Sequence, residues 1–362
     1  MVRAEAELLE AHGHDVVTWS PANPAAPTRQ LVTLALAPWN PVSARRARER
    51  TASTLPDVAH VHNTWYSLSP SVFPAVKRLG VPVVMTVHNF RLVCANAQLQ
   101  RDERPCELCV GTVPWHGVRY RCYRGSYAAS FVAATTIALN RRLATWSNNV
   151  DRFLVLTEFA RAKLVAGGLP EDRVVVKPNF VEDPGSRPTA PSASDFVLFA
   201  GRLTTEKGIL GLLAAWELGS PPFRLLIAGD GPLRDRIAAR VPDGVELLGW
   251  VDGAELRRLM LSARALMFPS EWYEGMPMTL IEAFACGLPV LASRLGSMIE
   301  MVEPLGERWL VEPGNPRRWA EAMSALADGH EVDDAGRRAR AVYTAVHSRE
   351  HALRNLIDAY TF

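Results

Sequence analysis

Residues 268–290 read FPSEWYEGMPMTLIEAFACGLPV. An apolar run ends at Phe268, a turn containing Gly275 follows, and Pro277 stands where a first helical residue belongs. Met278, Ile281, Phe284 and Ala285 then recur at helical spacing and predict a buried stripe. Gly287 and Pro289 stop the helix, and Val290 opens the next apolar run. Strand, turn, helix and strand in this order are the building unit of a parallel α/β sheet. Free amides from Gly275 to Thr279 at the helix start form a nest for an anion. Glu274 precedes the helix and Glu282 lies inside it, eight residues later. Glu282 has apolar neighbours, and a carboxylate there needs a partner, which two ribose hydroxyls would supply. The competing reading is an amphipathic helix with one exposed Glu.

The same alternation extends both ways. Expected strands are 15–19, 58–61, 81–87, 152–156 and 174–177, then 196–200, 224–228, 245–248, 265–268 and 290–292. Helical patterns lie between them at 3–11, 208–217, 233–239, 254–262 and 278–286. Several strands are apolar throughout, as in parallel sheets covered on both faces. Residues 182–194, rich in Pro, Ser and Gly, read as a linker. The expectation is two Rossmann-like domains, 1–185 and 186–345, facing each other across a cleft, with a helix at 346–362 packing back on the first. A doubly wound sheet opens with a strand and a Gly-rich turn. Here the chain opens in a helix, so the first strand of the N-terminal domain is missing from the pattern. Either the domain copes without it or the recorded start is late.

A chain of 362 residues suits two domains. The net charge of +2 excludes a strongly basic nucleic-acid binder. The charge is uneven, however: residues 1–150 hold 16 Lys and Arg against 9 Asp and Glu, and residues 151–362 hold 24 against 29. A basic front half suggests an anionic partner. Lysines are scarce: only Lys77, Lys163, Lys177 and Lys207 occur, beside 36 arginines. No stretch reaches the about 18 apolar residues of a membrane span. No signal peptide is recognisable. The expected location is the cytoplasm, with or without peripheral attachment at the inner face of the cell membrane.

Three further patterns surround the opening stretch. Phe196-Val-Leu-Phe-Ala-Gly201-Arg202-Leu-Thr-Thr-Glu-Lys207-Gly208 puts two cations between a strand and a helix start, a site suited to a diphosphate. The alternative is two solvated surface charges. Leu226-Ile-Ala-Gly229-Asp230-Gly231-Pro232 is a second strand–turn–helix, whose glycines permit close backbone approach. Leu248-Gly249-Trp250-Val251 ends a short strand, either facing a nucleobase or as a plain terminus.

Together these residues resemble glycosyltransferase family 4, retaining nucleotide-sugar enzymes of the GT-B fold. The resemblance rests on the Glu274/Glu282 spacing and the two Gly turns. It extends to His60-Val-His62-Asn63 and Met85-Thr86-Val87-His88-Asn89-Phe90-Arg91. It implies a catalytic set of Arg202, Lys207, Glu274 and His88. The cations would hold the donor diphosphate, Glu274 and the backbone of Gly275, Met276, Pro277, Met278 and Thr279 the sugar and phosphate, and Glu282 the ribose. Gly201 and Gly231 would line the donor site. His88, for which a purely structural role is the rival, would reach the sugar. Charge stabilisation of a departing diphosphate by two cations and a helix dipole needs no metal, and no Asp-x-Asp occurs. The implied function is transfer of a sugar to a saccharide or lipid-linked acceptor in polysaccharide or glycolipid biosynthesis. The rival is an N-terminally truncated protein that binds the nucleotide sugar without transferring it.

Residues 91–125 form an insertion rich in Cys and Arg. Cys94, Cys106, Cys109 and Cys122 are spaced C-x11-C-x2-C-x12-C. In a reducing compartment this favours a structural zinc over disulfides, with unligated thiols the alternative. Cys286 reads as core. Arg91, Arg101, Arg104, Arg119, Arg121 and Arg124, with Trp115, Tyr120 and Tyr123, read as a solvated insertion, an acceptor surface, or a weak contact for anionic lipid.

Overall fold

The computed structural model describes residues 1–22, 26–65 and 67–362. The chain divides into two compact units. One comprises Met1–Arg101, Cys106–Lys177 and Leu353–Phe362; the other comprises Asp102–Pro105 and Pro178–Ala352.

The strands before residue 178 are β1 (Ala59–Val61), β2 (Val83–Val87), β3 (Gln100–Arg101), β4 (Arg104–Pro105), β5 (Arg152–Val155) and β6 (Val174–Val176), of which β4 falls in the short Asp102–Pro105 piece of the second unit. Four of them form a sheet in the order β1-β2-β5-β6, parallel at every pair. β3 and β4 make a separate small hairpin. All five residues of β2 are buried, as an apolar strand covered on both faces requires. Residues 15–19 form no strand, against expectation, and Val17 is 72% exposed. A strand needs a hydrogen-bonded neighbour, and none pairs with this segment among the described residues. Trp19 lies instead against the guanidinium of Arg50, 5.4 Å from the ring centre.

The second unit contains β7 (Phe196–Ala200), β8 (Arg224–Ala228), β9 (Val245–Gly249), β10 (Leu266–Phe268), β11 (Val290–Ser293) and β12 (Leu310–Val311). Their order is β12-β11-β10-β7-β8-β9, again parallel throughout. The order runs outward in both directions from the β7/β10 pair. That pair is therefore the topological switch point, where loops leave for opposite faces and open a crevice at the carboxyl ends. Val197, Leu198, Leu225, Ile227, Leu266 and Met267 fill the sheet centre and are buried. Each such side chain contributes about 1.5–3 kcal/mol when removed from water.

The Met278–Ala285 helix covers this sheet with Leu280, Ile281, Ala283, Phe284 and Ala285. Met278, expected in the buried stripe, is only half-buried, and Pro277 is the N-cap rather than the first helical residue. Met276 takes the buried place, its Sδ accepting the Asn179 amide at 3.2 Å. Residues 182–194 lack regular structure apart from a single 3-10 turn at Pro191–Ala193, but are strapped down. Asp183 accepts from Arg340 at 2.6 Å, Arg187 donates to the carbonyls of Met260 and Ala263 at 3.0 and 2.7 Å, and Ser192 binds Asp333. The chain passes between units after Lys177 and again after Ala352.

Candidate active site

In the second unit, the loop after β7 meets the loop after β10 at the switch point. The first ends in a Thr205–Lys207 turn and Gly208, whose φ is +69°. A Cβ on Gly208 would fall 1.9 Å from the Pro269 carbonyl oxygen, so only glycine lets the two backbones touch. That approach brings Lys207 Nζ to 2.6 Å from Glu274 Oε1. The same oxygen accepts from Ser270 Oγ and Trp272 Nε1, both at 2.8 Å. Ser297 Oγ donates to the Glu274 carbonyl at 2.7 Å and pins the loop. The Lys207 and Glu274 side chains are 17% and 8% exposed. Lys207 Nζ also sits over the rings of Phe268 and Trp272, at 5.7 and 5.5 Å. The expected cation is thus fixed by a carboxylate, two aromatic faces and a short turn.

The other expected donor-side residues differ in their settings. The Arg202 side chain is two-thirds exposed, 3.8 Å from Glu206. The Met278–Ala285 helix carries no side-chain cap; the Leu280 and Ile281 amides bond the Pro277 carbonyl, and those of Met278 and Thr279 lie ahead of the first intrahelical bond. Glu282 is half-buried on that helix; burial pushes its carboxyl up, with Arg257 opposing. The glycines of the second turn permit a close backbone approach, as expected of their type. A Cβ on Gly229 would lie 1.9 Å from the Gly201 carbonyl oxygen, and one on Gly231 would lie 2.6 Å from that of Leu203. The close approach they permit is loop against loop. It is sealed by hydrogen bonds from Leu203 N to Asp230 O and from Leu233 N to Leu203 O, both 3.0 Å. Gly249 has φ +71° and Trp250 is 75% exposed.

In the first unit, three strands are each followed at once by a titratable residue: His62 after β1, His88 after β2 and Lys177 after β6. Glu5 of the Val2–Glu10 helix joins them. Lys177 donates to Glu5 Oε1, an ion pair with side chains only 1% and 3% exposed. His62 Nε2 lies 3.2 Å from Glu5 Oε2, and His62 Nδ1 lies 3.0 Å from His88 Nε2. His60 Nε2 meets Thr86 Oγ1 at 2.7 Å, and its Nδ1 meets the Tyr360 hydroxyl at 2.8 Å. Burial, then Lys177, holds His62 down to about 4; burial, then His62, holds His88 to about 4 as well. Both rings are therefore neutral near pH 7. Glu5 Oε2 accepts no hydrogen bond, so the firm link is the one between His62 Nδ1 and His88 Nε2, in which one neutral ring donates and the other accepts. The orientation of His88 is set by that contact with His62.

Sequence reasoning singled out His88 but not Glu5, His62, Lys177 or Tyr360 as its supports, nor Ser270 and Trp272 as those of Glu274. One signal was available: His60 and His62 alternate along a strand and so share a face. Glu5, His60 and His62 place one ligand atom each within 4.8 Å of one another. The Lys177 ammonium beside Glu5 opposes a cation there. In the Cys- and Arg-rich insertion the arginines stack on aromatic rings. Arg91 lies over Trp65 and Tyr123 at 4.5 and 4.8 Å, and Arg101 over Tyr120 at 4.2 Å. Among the described residues, no helix is long and apolar enough to cross a membrane.

Comparison with known proteins follows the same division. The family model described as Glycosyltransferase Family 4 matches residues 1–183, and that described as Glycosyl transferases group 1 matches residues 194–328. The 2-deoxystreptamine N-acetyl-D-glucosaminyltransferase of Streptomyces fradiae is 26% identical over 302 residues, covering 80% of this chain and 66% of the relative. The putative colanic acid biosynthesis glycosyltransferase WcaL of Escherichia coli is 27% identical over 208 residues, covering 52% of this chain and 51% of the relative. The chain spans about one third to two thirds of the length of the first curated relatives it matches. The crystal structure of Anabaena HepE in complex with UDP superposes with a TM-score of 0.66 at 16% identity, over 98% of this chain and 88% of that one. That likeness assigns the fold, which is GT-B. The sheet orders, the switch-point loops and a family model spanning half the sequence lead to one assignment: the chain belongs to Glycosyltransferase Family 4.

Proposed function

We propose that this protein transfers a glycosyl group from a nucleoside diphosphate sugar to a saccharide or lipid-linked acceptor, with retention at the anomeric carbon, in the assembly of a cell-surface polysaccharide or glycolipid. The observation that carries the reading is Lys207, held at the switch point 2.6 Å from Glu274, beside the uncapped start of the Met278–Ala285 helix. An ammonium and oriented amides offset the charge that builds on a diphosphate as its bond to the anomeric carbon breaks. Arg202, with its exposed side chain, closes on the second phosphate. The electron pair of the C–O bond leaves on the diphosphate oxygen, the acceptor oxygen bonds to the anomeric carbon on the same face, and its proton passes to the departing phosphate. Lys207 and Arg202 supply the charge for this step, so a metal is not needed.

Glu274, its carboxylate fixed by three donors, orients the sugar, and Glu282 accepts from the ribose. A half-buried carboxyl raised by burial gains from such donors. His88 reaches a sugar hydroxyl through Nδ1, its other ring nitrogen being held by His62. Names of relatives and neighbours support the class: one is a 2-deoxystreptamine N-acetyl-D-glucosaminyltransferase, one is named a putative colanic acid biosynthesis glycosyltransferase, and HepE was solved with UDP. The arginine–aromatic lattice of the insertion suits an acceptor carrying sugar rings or an anionic lipid. The test is a screen of UDP-, GDP- and ADP-sugars by release of nucleoside diphosphate, with and without chelator. One donor should be turned over at an unchanged rate in chelator. Release that vanishes with chelator would overturn the metal-free step, and no release with any donor plus membrane-extract acceptor would overturn the function.

A further inference from the structure

Cys94, Cys106, Cys109 and Cys122 arise from separate turns of the insertion, yet all four line one cavity of about 20 Å³, together with His116. A void of that size matches a single small guest. None of the four is in a disulfide. The surrounding chain has little regular structure. Its regular structure is a three-residue turn, the β3–β4 hairpin and the five-residue Trp115–Arg119 helix. Ala97, Leu99, Asp102, Glu103, Arg121 and Arg124 all have positive φ, a conformation each adopts at a penalty. Even so, Ala95 and Leu99 are fully buried. A segment folded this tightly without a core of its own is characteristic of a cross-linked module.

We propose that Cys94, Cys106, Cys109 and Cys122 bind one structural zinc ion. As the four Zn–S bonds form, each thiol releases its proton to solvent. The His116 ring is stacked on Tyr120, at 6.4 Å and 10°, which leaves the four sulfurs as the ligand set. Zinc with four thiolates carries a double negative charge. The setting answers it: Arg101 lines the cavity, Arg91 interacts electrostatically with Cys94, and Arg141 does so with Cys109. Arg141 also donates to the carbonyls of Leu92 at 3.2 Å and Thr112 at 2.8 Å, gripping both sides of the module. Zn–S bonds of about 2.3 Å put tetrahedral sulfurs about 3.8 Å apart. Among the described residues, only Glu5, His60 and His62 bring three ligand atoms within 4.8 Å. Metal uptake therefore contracts the sulfur ring into the cavity. Gly117, where a Cβ would lie 2.6 Å from Ala95 Cβ, marks how close the two sides already stand.

The test uses the full chain, expressed with added zinc and purified without chelator. Elemental analysis should give about one zinc per chain, lost on Cys106→Ser/Cys109→Ser and kept on Cys286→Ser. Cobalt added to the stripped wild-type protein should give thiolate-to-metal charge-transfer bands of a tetrahedral tetrathiolate. Less than about a tenth of an equivalent of zinc, or a cobalt spectrum without those bands, overturns the proposal. So does zinc retained by the double variant, which would move the metal to Glu5, His60 and His62. If the double variant does not fold, the wild-type cobalt spectrum decides alone. None of these readouts depends on glycosyl transfer, so the proposal and the enzymatic reading can fail separately.

Discussion

Replacing Lys207 by Met keeps the aliphatic stem and removes the ammonium that neutralises Glu274. The pair is 2.6 Å apart with side chains 17% and 8% exposed. Breaking a buried ion pair from one side is destabilising by about 3–5 kcal/mol, because a charge stays behind. Here Ser270 and Trp272 still donate to Glu274 Oε1, which argues for the lower end, about 3 kcal/mol. At roughly 2–4 °C per kcal/mol for a unit of this size, the melting transition should fall by about 6–12 °C. Glu274→Gln keeps an acceptor for Ser270 and Trp272 and leaves Lys207 able to reach water. The double variant should therefore recover stability to within about 1 kcal/mol of wild type, a coupling visible in the cycle. Activity should not follow. If Lys207 also stabilises the leaving diphosphate, turnover should drop about 100- to 1,000-fold in Lys207→Met and stay down in the double variant. The assay is nucleoside diphosphate release beside calorimetry on the four proteins. Recovery of turnover together with stability would reduce Lys207 to a counter-ion and refute its role in transfer.

Two other outcomes follow from the geometry. His62, His88 and His347 are each held near 4, chiefly by burial, so their neutral forms belong to the folded state. The unfolded chain binds more protons between about 6.5 and 4, and stability should therefore fall as pH drops through that window. Taken singly, each histidine forfeits about 2 kcal/mol by pH 5; a urea midpoint unchanged from pH 7 to pH 5 would contradict the neutral assignment. Gly229→Ala should unfold the second unit or lower its midpoint severely, by more than about 3 kcal/mol, since its Cβ would strike the Gly201 carbonyl. A variant with wild-type thermal stability would show that the two turns do not touch.

The second unit was the more legible half. Phe196–Ala200 and Arg224–Ala228 coincide with their expected bounds, because a strand covered on both faces is apolar at every position and its ends are marked by Gly or charge. The segment at 15–19 has the same local pattern and failed, because strand character is conferred by a neighbour and the alternation names none. Lys207, Glu274 and the helix start were legible as a cluster, since each follows a strand end. Their arrangement was not: only the backbone touch at Gly208 shows that the cation meets the carboxylate. The partners of the second-turn glycines were hidden for the same reason. A sequence shows that close approach is allowed there but not what approaches. The Glu5–Lys177 pair was invisible, its members being separated by most of the first unit.

His60 is bound by Tyr360, and the Asp358 carbonyl accepts from Arg152 at 2.6 Å. The last ten residues therefore complete a unit that began at the first helix, while Pro178–Ala352 forms the bulk of the other without interruption. Emerging from the ribosome, the later unit has its sequence in hand before the earlier one does. Completion of the histidine side must wait until residues 353–362 have been synthesised, and a message stopped short of them would yield an assembled second unit attached to an unfinished first one.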